Sequence, residues 1–296
     1  MCGIVGLFLK DKRMEPDLGA LIAEMLVTMT DRGPDSAGLA IYGAEAPGQT
    51  KITVQSAKPT EDFAALKARL PQGASLVVRD THAIVSLPDA DADALRAALP
   101  EIAPRLRVMS VGANIEIYKE VGLPRDIVRR FGVRGMSGTH AVGHTRMATE
   151  SAVTTLGAHP FSTGPDQCLV HNGSLSNHNN LRRELKRVGV TFETENDSEV
   201  AAAYLTDAMR RGQDLGGALK QALDDLDGFF TFVVGARTGF GVLRDPIACK
   251  PAILAETAQY VAFGSEYRAL AGLPGIEQAK VWEPEPATVY FWERAA

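Results

Sequence analysis

The second residue could do chemistry by itself. In Met1-Cys2-Gly3-Ile4-Val5-Gly6, removal of the initiator methionine makes Cys2 a chain terminus, with a thiol and a free α-amine on one residue. A thiol near pKa ~8.5 is mostly protonated at neutral pH, whereas an α-amine near ~7.7–8.0 is largely available there to accept a proton through one water. Such a residue supplies nucleophile and base together. The alternative reading is a small buried cysteine that opens a strand. Further chemistry-bearing residues stand in separate segments: Arg32 in Arg32-Gly33-Pro34-Asp35-Ser36-Ala37-Gly38, Arg146 and Thr149 in Gly143-His144-Thr145-Arg146-Met147-Ala148-Thr149, His159 in Ala158-His159-Pro160-Phe161, His171-Asn172-Gly173, and Asn196-Asp197-Ser198-Glu199.

The elements around these segments must bring them together. Ile4 to Leu9 is a short apolar run that reads as a buried strand, and Leu18, Leu21, Ile22, Met25, Leu26 and Met29 recur at helical spacing on one face. Gly33-Pro34 ends that helix, and Ala37 to Tyr42 reads as a second strand. Between about 44 and 135 the texture changes. Helix candidates Glu61 to Leu70 and Asp91 to Leu99 alternate with strand-like Leu76 to Val78 and Leu106 to Val111, which suggests an inserted α/β subdomain with no polar cluster assignable to chemistry. After Gly138 come a strand at Ala141 to Thr145 and one at Leu169 to His171. Helices are expected at Asn177 to Val188, Ser198 to Arg211 and Leu215 to Leu226, and short strands from Phe229 to Trp292. Strands at both ends with helices between suggest sheets covered by helices.

Composition narrows the function. The 296 residues are 45% hydrophobic and 23% charged with a formal net charge of -5, a profile of an ordinary globular chain. No basic block offers a footprint for nucleic acid or an anionic membrane, and no stretch reaches membrane-spanning length. The first apolar run is followed at once by Lys10-Asp11-Lys12-Arg13 and lacks the layout of a secretory signal. Cys2, Cys168 and Cys249 are widely spaced, which speaks against a disulfide framework or a zinc site and suits a reducing cytoplasm. Cys168 and Cys249 are expected in the core.

Together with Cys2, these motifs resemble the class II glutamine amidotransferases, in order along nearly the whole chain apart from the insertion. The resemblance implies an α+β fold, a four-layer αββα N-terminal nucleophile hydrolase sandwich over residues 2–296, and hydrolysis of L-glutamine through a Cys2 thioester. Attack on the side-chain carbonyl creates an oxyanion; the family meets it with the asparagine amide and glycine N–H of His-Asn-Gly, here Asn172 and Gly173. Free glutamine also presents a carboxylate, suited to Arg146, and an ammonium, suited to Asp197. Each has a plainer reading: Asn172-Gly173 as a tight turn, Arg146 and Asp197 as ion-pair members, Asp197 as a helix N-cap. Thr149 and His159 fall where the family lines the glutamine pocket, although His159 before Pro160 also reads as a loop histidine. Arg32 looks like the residue that holds the backbone around the nucleophile. Met147 and Glu150 depart from the family's usual aromatic and small polar residues.

The sequence ends at Ala296 without a sugar-isomerase, phosphoribosyltransferase or ATP-pyrophosphatase domain, so an ammonia acceptor is expected on another chain. The opening segment, the Met29 to Gly38 segment and the insertion look closest to stand-alone amidotransferase subunits of glutamate-synthase-like complexes, a group that includes N-methylglutamate synthase and GlxB-like subunits. That resemblance implies partner subunits carrying FMN and an iron–sulfur cluster, with no cofactor in this chain. Two other readings stand beside it: a catalytically idle subunit that senses glutamine or glutamate in the same complex, and an amidase of the same fold acting on another amide.

Overall fold

The run Gly3–Leu9 becomes a fully buried central strand. It pairs antiparallel with Tyr260–Gly264 on one side and His140–Arg146 on the other. In the computed structural model, which describes residues 2–148 and 152–294, it belongs to a seven-stranded sheet. The strand order is Lys280–Trp282, Ile253–Glu256, Tyr260–Gly264, Gly3–Leu9, His140–Arg146, Ser36–Tyr42 and Ile115–Val121. A five-stranded sheet runs in the order Thr288–Glu293, Gly239–Arg244, Gly228–Gly235, Gln167–Leu175 and Phe161–Gly164.

Strand alternation sorts these residues into layers. Val5, Leu7 and Leu9 face the helix Leu18–Thr28, whose Leu18, Ile22, Met25 and Leu26 close the first core. Ile4 and Phe8 face the other way, toward Val170, Val233, Phe240 and Val242 of the five-stranded sheet. The far side of that sheet packs Leu169, Phe230, Phe232 and Leu243 against the helices His178–Arg187, Asp197–Arg210 and Leu215–Asp225. The result is the αββα sandwich, with each buried aliphatic side chain contributing about 1.5–3 kcal/mol. Among the described residues no helix is long and apolar enough to cross a membrane.

The stretch 44–135 divides in the structure. Ser75–Arg79, His82–Pro88, Gln49–Gln55 and Arg107–Gly112 form a separate four-stranded sheet in that order. Helices Pro59–Lys67 and Asp89–Ile102 accompany it, and its core holds Ile52, Val54, Phe63, Leu66, Val85, Leu95 and Leu99. The remainder returns to the main body. Ile115–Val121 pairs with Ser36–Tyr42, and Ile127, Val128 and Phe131 of helix Pro124–Phe131 join the core beneath Leu18–Thr28. The unit with its own sheet is therefore 49–112, narrower than the compositional shift suggested.

Candidate active site

The same alternation builds the site. Cys2 continues the face of Ile4 and Phe8, and His144 and Arg146 continue the face of Val142, so all three point into the gap between the sheets. Across the gap Asn172 shares a face with Cys168 and Val170, while His171 turns the other way toward helix Asp197–Arg210. These residues meet at the mouth of the gap in a pocket of about 300 Å³, lined also by Arg32, Met147, His159, Gly173, Asp197, Ser198 and Lys250.

Around Cys2, Arg32 donates from Nε to the Cys2 carbonyl (3.0 Å) and forms an ion pair with Glu266. Asn172 donates from Nδ2 to the same carbonyl (3.1 Å). The Met147 N–H lies 3.4 Å from the Cys2 Sγ. Burial pushes the Cys2 thiol up, but neighbouring His144 and the Met147 N–H outweigh it and bring the thiol down to about 7. Asn172 and Gly173 lie inside the strand Gln167–Leu175, paired with Thr231 and Phe230, so the tight-turn reading is corrected. Gly173 has φ +144°, and a Cβ there would sit 1.9 Å from the Phe229 carbonyl oxygen. Only glycine fits.

At the other end, Arg146 is buried and donates from Nη1 to the Ala152 carbonyl (3.3 Å). Asp197 is the first residue of its helix, but the cap is Asn196, whose side chain accepts from Ser198 N–H. The N-cap reading of Asp197 is thus corrected by one position. Its own Oδ2 accepts from Leu175 N–H (2.9 Å), which ties the helix start to the Asn172 strand. His159 Nε2 and His171 Nδ1 each lie 2.9 Å from the Ser198 Oγ. Burial, reinforced by neighbouring cations, pushes His159 well below its ordinary value; burial brings His171 down to about 4, so both are neutral at pH 7. Lys119 donates from Nζ to the carbonyls of Leu156 (3.3 Å), Ala158 (2.8 Å) and Pro160 (3.1 Å), and so pins the loop that carries His159. Burial lowers that ammonium to about 8.

The pocket gathers Cys2, Arg32, Arg146, His159, Asn172, Gly173 and Asp197. Thr149 lies outside the described residues, as does Glu150. Cys168 is buried beside the Tyr42 hydroxyl, but Cys249 is exposed on the loop after Gly239–Arg244, which corrects its expected place in the core. Sequence reasoning gave no role to His144, Ser198 or Lys250. For His144 the signal was available, because it stands two residues before Arg146 on one strand and must share its face. Among the described residues no group of three histidine, cysteine or acidic side chains is placed to hold a metal ion.

A cysteine-headed strand facing an asparagine across an αββα sandwich defines the N-terminal nucleophile amidotransferase class. A family model described as glutamine amidotransferase domain matches residues 144–272. The glutamine amidotransferase-like protein GlxB of Rhizobium meliloti (strain 1021) is 68% identical over 99% of this chain and 98% of its own length. A glutamine–fructose-6-phosphate aminotransferase (isomerizing) of Sulfurisphaera tokodaii is 35% identical over 47% of this chain and 24% of its own length. In fold, the chain superposes on the glutamine phosphoribosylpyrophosphate amidotransferase of B. subtilis with a TM-score of 0.64 at 18% identity, covering 99% of this chain and 47% of that one. The chain belongs to the glutamine amidotransferase family.

Proposed function

We propose that this chain hydrolyses L-glutamine to glutamate and ammonia and that Cys2, freed of Met1, is the nucleophile. The observation that carries the reading is the convergence of Cys2 and Asn172 from facing sheets, with Arg146 and Asp197 lining the same pocket. In this reading the Cys2 sulfur attacks the side-chain carbonyl of glutamine, and its proton passes through the α-amine to the leaving nitrogen, which departs as ammonia. Asn172 Nδ2 and the Gly173 N–H hold the oxyanion; Arg146 takes the substrate carboxylate and Asp197 its ammonium. Water then cleaves the thioester and releases glutamate. Arg32 keeps the Cys2 backbone in place and His159 packs the pocket wall.

The ammonia passes, on this proposal, to glutamate-synthase-like or N-methylglutamate-synthase subunits that carry FMN and an iron–sulfur cluster in a hetero-oligomeric cytoplasmic complex. The likeness to GlxB over the full chain supports the amidotransferase part of this reading. The test is the intact mass of the purified chain with and without a glutamine-mimicking diazo ketone. Loss of Met1 and a single adduct on Cys2 are expected. Retained Met1, or no adduct with synthase partners present, overturns the reading in favour of an idle glutamine-sensing subunit.

A further inference from the structure

We propose that His144 is a positioning residue for this reaction, with its Nε2–H locking the Asn172 carboxamide in the orientation that turns the NH2 toward Cys2, and with its ring set in the same pocket as the thiol. The inference rests on the glutaminase reading and assigns a part to a residue outside it.

His144 faces a group that can only accept. His144 Nε2 lies 3.2 Å from the backbone carbonyl oxygen of His171 and 3.1 Å from the Asn172 side chain. A carbonyl has no proton to give, so Nε2 must carry the hydrogen. The Asn172 atom facing that N–H must then be its oxygen. The other end of the carboxamide meets a second obligatory acceptor, the Cys2 carbonyl, at 3.1 Å, which requires nitrogen there. Two backbone carbonyls therefore fix the amide from opposite ends, and His144 is the relay from the first. Without it the oxygen end of the carboxamide loses its donor, and Asn172 is held only from its nitrogen end by the Cys2 carbonyl and Ser265 Oγ.

The second nitrogen has its own place. The other ring nitrogen, Nδ1, is buried without a hydrogen-bond partner. One face of the ring is taken by His159, stacked at 4.1 Å between centroids. The ring lines the same pocket as Cys2 and is the side chain that most draws its thiol down. The other titratable and charged groups lining the pocket are Arg32, Arg146, His159, His171, Asp197 and Lys250. His159 and His171 hold the Ser198 hydroxyl instead, and His144 is the pocket histidine bonded to the oxyanion donor.

The test compares the wild-type chain with His144→Ala and His144→Gln in two readouts. The first is the pH dependence of Cys2 alkylation by iodoacetamide, followed by mass of the N-terminal peptide, with exposed Cys249 as reference within each sample. The second is kcat and KM for glutamine hydrolysis with synthase partners present. In His144→Ala the alkylation midpoint should rise by roughly one unit or more from about 7, and kcat should fall roughly ten-fold or more with KM within about three-fold. His144→Gln, whose amide N–H can still face Asn172 Oδ1, should recover part of kcat but keep the raised midpoint. If His144→Ala fails to fold, His144→Gln decides by its midpoint. A wild-type midpoint in either folded variant, or a KM rise as large as the kcat loss, overturns the proposal. Alkylation needs no turnover, so a wild-type chain with a low midpoint that releases no ammonia sinks the glutaminase reading and leaves His144 to be judged by the shift.

Discussion

The mouth of the sheet gap and the interior of the four-stranded unit both bury side chains from solvent, yet one is lined mostly by polar groups and the other mostly by aliphatic ones. At the mouth, His144, Arg146, His159, His171, Asn172 and Ser198 are each no more than 7% exposed. In the small unit the hydrophobic core is aliphatic for the most part, with Ile52, Val54, Leu66, Val85 and Leu87 fully buried, and Thr53, Ser56 and His82 are the polar residues buried as deeply beside it. Burying polar groups costs free energy unless each finds a partner, and several at the mouth keep an unpaired atom, among them His144 Nδ1, His159 Nδ1 and His171 Nε2. Such a set weakens a fold, whereas the aliphatic set supports one. No residue of 49–112 lines the pocket. The contrast separates residues for chemistry from residues for stability, and substitutions in the two regions should fail in different ways.

The largest effect belongs to the mouth. Cys2→Ala should abolish ammonia release from glutamine while the thermal midpoint stays within a few degrees of wild type; residual turnover would break the assignment of the nucleophile. Asn172→Ala comes next. Losing one oxyanion donor should lower kcat by about 10²–10³, roughly 2.7–4 kcal/mol, with KM little changed. A comparable rise in KM with kcat intact would mean that Asn172 reads the substrate before reaction, and the proposed hole would fall.

The two regions also differed in how far the sequence could be read. The helix Leu18–Thr28 and the strand Gly3–Leu9 were legible because single-faced apolar periodicity survives burial. The pocket was legible through spaced motifs, and strand parity could have added His144. Ile115–Val121 was not recognised as a strand of the main sheet. Its charged Lys119 and Glu120 look like a solvated face, but the Lys119 ammonium is solvated by backbone carbonyls of the His159 loop, which no local pattern reveals. The choice between Asn196 and Asp197 as helix cap was equally hidden, since it depends on Leu175 N–H occupying the aspartate from a distant strand. The exposure of Cys249 follows from the path of a loop rather than from its own polarity.

A smaller effect should appear in the aliphatic interior. Ile52→Val removes one methylene from a fully buried site and should cost about 0.5–1.5 kcal/mol in chemical denaturation. Glutaminase kcat and KM should stay at wild-type values. A change in either kinetic constant would show that the small unit communicates with the pocket and would blur the separation drawn above.

The smallest effect concerns a charged site of the small unit that resembles the mouth. Asp62 is a buried carboxylate held by Arg105, with Nε at 3.1 Å and Nη2 at 2.6 Å, and by the Ser56 hydroxyl. Burial pushes its pKa up, but the bonds from Arg105 and Ser56 outweigh that and leave it below the ordinary carboxylate value. A lowered folded-state pKa adds stability above the unfolded value of about 3.9, and that contribution is lost as pH falls through the folded value. Arg105 is partly exposed, so solvent screens the pair. Arg105→Gln should therefore lower the denaturation midpoint modestly at pH 7, by less than Ile52→Val, and the difference from wild type should shrink as the pH drops below about 4. A difference that persists in acid would mean that the arginine stem acts by packing. In that case even the charged residues of this unit serve its apolar core, and the contrast with the pocket is sharper than drawn.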